Sequence, residues 1–292
     1  MKKYILLFFV VFFIVFIFNF VSTDFVDDGS AIQNVTSCGV LNTSNATYIL
    51  NQSLNSSYDC ITINATNITL DCKGYNINFG NATGGFGIIV SGDGGETGHD
   101  NITIQNCVIV QNESGGDYAG IRFGPNSENG VVYNNTLLIY GIDTVGIMLE
   151  DFSINANISL NDITCSGRES TAITLSANGT GVDIRNNVVT TSGNDSSGIL
   201  IGDNSTDGTI FNNTITTMGN FSFADNSAFG AIFLDVGTAR INVSSNNITT
   251  SGIGGEGVWI WSSSNHSIED NTIVTSGEQG DGIYVVDILV GG

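Results

Sequence analysis

Positive charge is what this chain has least of: seven Lys plus Arg stand against 28 Asp plus Glu, a formal net charge of −21. So few cations cannot track a phosphate backbone, which excludes nucleic acid as a partner. Proline occurs once and methionine three times in 292 residues, and there are two histidines, His99 and His266. Helical periodicity is missing as well. No stretch past the N-terminus repeats apolar residues at i, i+3 and i+4, so an α-helical domain is excluded. What is plentiful is glycine, 37 residues, together with Asn, Ser and Thr. That composition predicts many turns between short strands. The 41% of apolar residues recur at regular places, which argues against disorder.

The regularity is a repeat. Cys60-Ile61-Thr62-Ile63 opens a pattern of Gly or Ala, an aliphatic, a variable residue and a second apolar residue. It returns at Gly87-Ile88-Ile89-Val90, Gly120-Ile121-Arg122-Phe123, Gly146-Ile147-Met148-Leu149, Ala172-Ile173-Thr174-Leu175 and Gly198-Ile199-Leu200-Ile201. Ala231-Ile232-Phe233-Leu234, Gly257-Val258-Trp259-Ile260 and Gly282-Ile283-Tyr284-Val285 complete it. Successive steps are 27, 33, 26, 26, 26, 33, 26 and 25 residues, a fixed unit with two insertions of about seven. A unit near 26 residues with three short strands predicts an all-β parallel β-helix, a solenoid of eight to nine coils over residues 60–292. At about 4.8 Å per coil the rod is roughly 40 Å long.

Two further columns follow from the register. Asn106, Asn135, Asn161, Asn186, Asn213, Asn246 and Asn271 each precede an aliphatic by two residues and are expected to form a turn ladder of stacked amides. Thr190, Thr217, Thr250 and Thr275 are expected to stack at the end of the third strand, with Cys165 in the same column as a buried free thiol.

Lys2 and Lys3 followed by the apolar run from Tyr4 form an export segment, so residues 1–23 read as a signal peptide or an N-terminal membrane anchor. That places the remainder outside the cytoplasm, with the membrane reached only through this segment. Residues 24–59 read as an irregular lead-in and N-terminal cap, with one strand at Thr47 to Leu50. Four cysteines, Cys38, Cys60, Cys72 and Cys107, cluster early and suit an oxidising compartment. They allow three pairings; Cys38 with Cys60 and Cys72 with Cys107 is favoured, because the second pair would fall near one height on adjacent coils. About twenty Asn-x-Ser/Thr sequons fit the same compartment. The chain ends just after a first strand without a capping segment, so a longer product or a covering partner is expected there.

The first coil, Cys60-Ile61-Thr62-Ile63 through Asn67-Ile68-Thr69-Leu70-Asp71-Cys72-Lys73-Gly74-Tyr75, resembles that of exported NosD-like proteins. These belong with the right-handed parallel β-helix repeat proteins and the pectate-lyase-like enzymes, and the resemblance spans roughly residues 38 to 292. It implies a right-handed coil. It does not imply one activity, since this fold hosts lyases, hydrolases, epimerases and adhesins. Residues of the enzyme families do not carry over. A lyase-like calcium cluster with a neighbouring base and a hydrolase-like Arg-x-Lys are both missing from the sequence. Tyr140-Gly141-Ile142-Asp143 resembles the start of the Tyr-Gly-x-Asp-Pro-His motif of mannuronan C5-epimerases, but Thr144 and Val145 stand at the Pro and His positions. No cofactor is expected. The loop 91–100 reads as a solvated acidic turn whose Asp93, Glu96 and Asp100 are the only candidates for calcium.

The informative face is outside. In Gly-Ile-x-Val the x residue points outward. The series Ile89, Arg122, Met148, Thr174, Leu200, Phe233, Trp259, Tyr284, with Trp261 beside Trp259, is an apolar stripe that turns aromatic where the surface should be wet. Phe233, Trp259, Trp261 and Tyr284 are therefore the candidate ligand-binding residues, unless the insertion carrying Phe221, Phe223 and Phe229 folds over them. The expected function is a non-catalytic adhesion or glycan-binding module at the cell surface, with a polysaccharide or surface glycan as partner. A carbohydrate-active enzyme with an unrecognised site is the alternative, and a structural coat or spacer is the third reading.

Overall fold

The computed structural model describes residues 25–80, 85–92, 97–111, 118–221 and 230–287. The export segment, Asp93, Glu96, Phe223, Phe229 and the last five residues lie outside them. Among the described residues there are 29 strands and no helix, arranged as three parallel sheets of ten, nine and ten strands. Consecutive strands belong to different sheets, so the chain circles the axis once per repeat: this is the expected parallel β-solenoid. Sheet A runs from Gly39–Leu41 and Ile61–Ile63 to Glu256–Trp261 and Ile283–Val286. Sheet B begins at Ile32–Val35 and sheet C at Leu54–Asn55. The same coil geometry therefore already organises the lead-in, where Gly39–Leu41 pairs with Ile61–Ile63 and Ile32–Val35 with Thr47–Leu50.

Alternation explains the core. In sheet A, Ile121, Ile147, Ile173 and Ile199 stack in register and are fully buried, while the residue after each faces out. Ile104, Val132, Ile158 and Ile184 do the same in sheet B, as do Ile109, Leu137, Ile163 and Val189 in sheet C. Burying one aliphatic side chain contributes about 1.5–3 kcal/mol, and each coil repeats that on three sheets.

The amide ladder exists, but one residue off the expected register in two coils. It is built from Asn135, Asn161, Asn187, Asn213, Asn246 and Asn271, with Cys107 rather than Asn106 below Asn135. Each buried amide donates to the next amide oxygen at 3.0 Å and to a backbone carbonyl of the coil below, for example Asn187 Nδ2 to Ile158 O at 2.9 Å. Each Oδ1 accepts from the amide and the backbone N–H of the preceding ladder residue. Asn106 and Asn186 instead occupy the bend one residue earlier, where Asn134, Leu160, Asn212, Ser245 and Asp270 share φ values of 53 to 58° with them. There the amides face solvent and pair separately, Asn134 with Asn106 and Asn212 with Asn186, both at 2.7 Å. Left-handed bend and buried amide are adjacent positions with different demands, and a run of two asparagines satisfies both.

The threonine column is shifted likewise. Cys165 pairs with Thr191, not Thr190, and the column continues through Thr217, Thr250 and Thr275. Cys165 is fully buried there, and burial pushes its thiol up to about 12. At the turn from sheet C to sheet A, Gly141, Gly167, Gly193, Gly219, Gly252 and Gly277 stack. A Cβ on any of the last five would lie 1.6 to 1.8 Å from the carbonyl oxygen of the glycine one coil below. The turn is closed too tightly for any other residue.

Two disulfides lock the first coils: Cys38–Cys60 at 2.01 Å and Cys72–Cys107 at 2.03 Å. Near the N-terminus, Asp27 gathers the backbone N–H groups of Gly29, Asn42 and Thr43, the Thr43 hydroxyl, Gln33 Nε2 and the hydroxyl of fully buried Tyr48. Burial raises the Asp27 pKa, but these donors outweigh it and hold the carboxyl well below the usual range.

Candidate functional site on the outer face of sheet A

Register places the outward residues of sheet A in one line. Ile89 pairs with Arg122, then Met148, Thr174, Leu200, Phe233, Trp259 and Tyr284 follow one coil apart. The regular 26-residue coil is what makes this line straight, because the strands on either side of each insertion still pair in register. Trp261 lies two residues beyond Trp259 on the same face and pairs with Val286.

The four aromatic candidates come together. Phe233 meets Trp259 edge-on at 6.2 Å and Trp261 at 6.3 Å, and Trp259 meets Tyr284 edge-on at 5.2 Å. Their roles differ by depth. Phe233 is only 5% exposed and forms the floor, the two tryptophans are half-buried, and Tyr284 is 39% exposed at the rim. Of the insertion, Phe221 is buried. The Nε1 atoms of Trp259 and Trp261 are shielded from solvent and have no hydrogen-bond acceptor. A shielded, unpaired N–H costs about 1–3 kcal/mol, so these two donors carry unmet hydrogen-bonding capacity.

Along the same face, toward the N-terminus, lies a cleft of about 370 Å³ lined by Phe86, Tyr118, Arg122, Asp143, Val145, Met148 and Glu150. Arg122 Nη2 and Nε both reach Glu150 Oε1, at 2.7 and 2.8 Å, and each side chain is 18% exposed. The guanidinium lies 5.1 Å over the Phe86 ring, which meets Tyr118 edge-on at 5.8 Å. Glu150 and the cleft were missed in the sequence. The signal was available: Glu150 follows Met148 by two and so shares its outward face, diagonal to Arg122.

The other sequence candidates are held structurally. Asp100 Oδ1 accepts the Glu128 N–H at 2.9 Å, and among the described residues no three His, Cys, Asp or Glu side chains converge to hold a metal. His99 contacts Asn64 Oδ1 at 3.2 Å, and His266 accepts from the Ile241 N–H at 3.3 Å. In Tyr140-Gly141-Ile142-Asp143, Gly141 belongs to the glycine stack, Thr144 Oγ1 donates to Gly141 O at 2.9 Å, and Asp143 sits at a left-handed bend with φ 55°.

From Ile88 onward no described strand of sheet A contains a sequon asparagine, although Asn178, Asn194, Asn204 and Asn265 lie in the turns that flank it. Every cationic side chain beyond Lys3 is paired. Lys73 lies 2.7 Å from Asp71, Arg168 2.9 Å from Glu169 and Arg240 2.6 Å from Asp207, while Arg185 binds Asp183 and Arg122 binds Glu150.

No protein-family model and no curated protein matches the chain. Solved structures do. The chain is similar to PfbA, a surface adhesin of Streptococcus pneumoniae, with a TM-score of 0.58 and 15% identity over 92% of this chain and 75% of that one. It is also similar to the A-module of the mannuronan C-5 epimerase AlgE4 of Azotobacter vinelandii, with a TM-score of 0.39 and 14% identity over 88% and 89% of the two chains. DFA-IIIase from Arthrobacter chlorophenolicus A6 without its lid aligns with a TM-score of 0.45 and 8% identity over 87% and 79%. At 15% identity the likeness to PfbA is one of fold, the parallel β-helix.

Proposed function

We propose that this chain is an exported, non-catalytic surface module that binds glycan along the outer face of sheet A. The carrying observation is the aromatic cluster Phe233, Trp259, Trp261 and Tyr284, half-open on a face that should be wet. Flat aromatic surface with a polar handle suits a sugar ring, which presents C–H groups on one side and hydroxyls at its rim. Export is supported by the N-terminal apolar segment and by the two disulfides. The fold likeness to a pneumococcal surface adhesin is compatible with this reading.

The test is a glycan array with the wild-type protein and Trp259→Ala, combined with intrinsic tryptophan fluorescence. Removing one stacking aromatic is expected to lower affinity about 5- to 100-fold, equivalent to roughly 1–3 kcal/mol. Binding that survives both Trp259→Ala and Trp261→Ala moves the site elsewhere. The cleft at Arg122, Asp143 and Glu150 is where an enzyme reading would put its chemistry. New reducing ends or unsaturated products on incubation with polysaccharide would establish that reading instead.

A further inference from the structure

We propose that the glycan taken along sheet A is electrically neutral, and that polyuronates and sulfated polymers are excluded; this rests on the glycan-binding reading and narrows it to a substrate class. Recognition of an acidic sugar requires a cation or a charge-assisted donor free to meet it. The chain has none to spare. Beyond Lys3 it carries five cationic side chains, and each already lies against a carboxylate. On the strands of sheet A there is a single cation, Arg122, and both its Nε and its Nη2 are committed to Glu150. Asp143 and Glu150 line the same cleft with Arg122 as its one cation. At the aromatic end, two carboxyl groups, Asp235 two residues beyond Phe233 and Asp203 beside it, stand where a cation would be needed; burial first and Asp203 second push the Asp235 pKa upward. Around both regions the whole chain adds a formal charge of −21, which repels polyanions at long range.

What the face does offer matches uncharged hydroxyls. A sugar hydroxyl both donates and accepts. The half-buried indole rings of Trp259 and Trp261 offer uncharged apolar surface, and Tyr284, 39% exposed, adds a ring face and a hydroxyl that both donates and accepts. Arg122 and Trp259 are five strand steps apart on one line, about 24 Å at the ~4.8 Å parallel spacing, so one linear polymer lying along the axis meets both regions.

The full-length protein is tested by pull-down and tryptophan fluorescence against a neutral β-glucan, a mannan, polygalacturonate and dextran sulfate, each at low and high salt. The inference expects binding to a neutral polymer, unchanged by salt, and none to the acidic ones. Binding to polygalacturonate or dextran sulfate, alone or equally with the neutral polymers, overturns the selectivity while leaving glycan binding in place. Binding to none of the four overturns the glycan reading itself, and the selectivity with it. Glu150→Gln supplies an independent arm, since it keeps a hydrogen-bond acceptor for Arg122 but removes the neutralising charge. That variant, folded by circular dichroism, is expected to acquire polygalacturonate binding at least about tenfold above wild type at low salt. No gain would show that charge pairing at Arg122 does not set the selectivity.

Discussion

Asn187→Ala tests the amide ladder, and its cost follows from four hydrogen bonds. Asn187 Oδ1 accepts from the backbone N–H and the side-chain amide of Asn161, at 2.9 and 3.0 Å. Its Nδ2 donates to Ile158 O at 2.9 Å and Asn213 Oδ1 at 3.0 Å. Alanine keeps its own N–H on Asn213, so the upper coil retains one contact. The lower coil does not: the Asn161 N–H loses its acceptor, while Asn161 Nδ2 and Ile158 O each lose a partner. An orphaned buried N–H costs about 1–3 kcal/mol, and the two partial losses with the amide-sized void bring the total to roughly 3–5 kcal/mol. Asn187→Asp is expected to be worse at neutral pH, because a second oxygen would face Ile158 O and Asn213 Oδ1. That buried carboxyl must stay protonated. Its folded pKa lies above the unfolded ~3.9, so the variant loses further stability as pH rises past that value. Urea unfolding followed by far-UV circular dichroism gives the totals. Amide exchange locates them, since a solenoid spreads damage only to neighbouring coils and the Asn161 amide should lose protection first. In a double-mutant cycle with Asn161→Ala the two costs should fall short of additivity by about 0.5–3 kcal/mol. An Asn187→Ala protein within ~1 kcal/mol of wild type, or an Asn161 amide still fully protected, would refute the reasoning.

Gly193→Ala puts a Cβ 1.8 Å from Gly167 O and should cost at least about 4 kcal/mol or abolish soluble expression, whereas Gly29→Ala, with φ 76° but open space, should cost about 1 kcal/mol; denaturation midpoints separate them. Cys165, buried with its thiol pushed up to about 12, is expected to resist iodoacetamide at pH 8 in the folded protein and to react once denatured, measured by mass shift. Because the Asp27 pKa is depressed on folding, its contribution is complete above the unfolded value near pH 4 and is lost as pH falls further. Asp27→Asn should therefore flatten the acid limb of a stability–pH curve below about pH 4, and an unchanged limb would rule out this role.

The fold was legible because a solenoid writes its period into the chain. Ile121, Ile147, Ile173 and Ile199 recur at 26 residues, and any register that buries one buries all. The outward column needed only the period-2 rule, so the aromatic cluster was readable before its distances were. Single-residue errors arose where two adjacent residues had the same chemistry. Asn186-Asn187 and Thr190-Thr191 each offer two equal candidates, and only the coil above decides which one points inward.

Other features needed three dimensions. The glycine stack at Gly141, Gly167 and Gly193 looked like ordinary turn composition until the approach of successive backbones showed that no Cβ fits. The Arg122–Glu150 pair joins residues 28 apart across neighbouring coils. Local sequence determined the repeat, the alternation and the face that carries aromatics, because those depend on periodicity alone. Tertiary structure decided which donors are left unpaired, which cations are neutralised and how deep each aromatic lies. Those properties depend on what the next coil brings within hydrogen-bonding or contact distance.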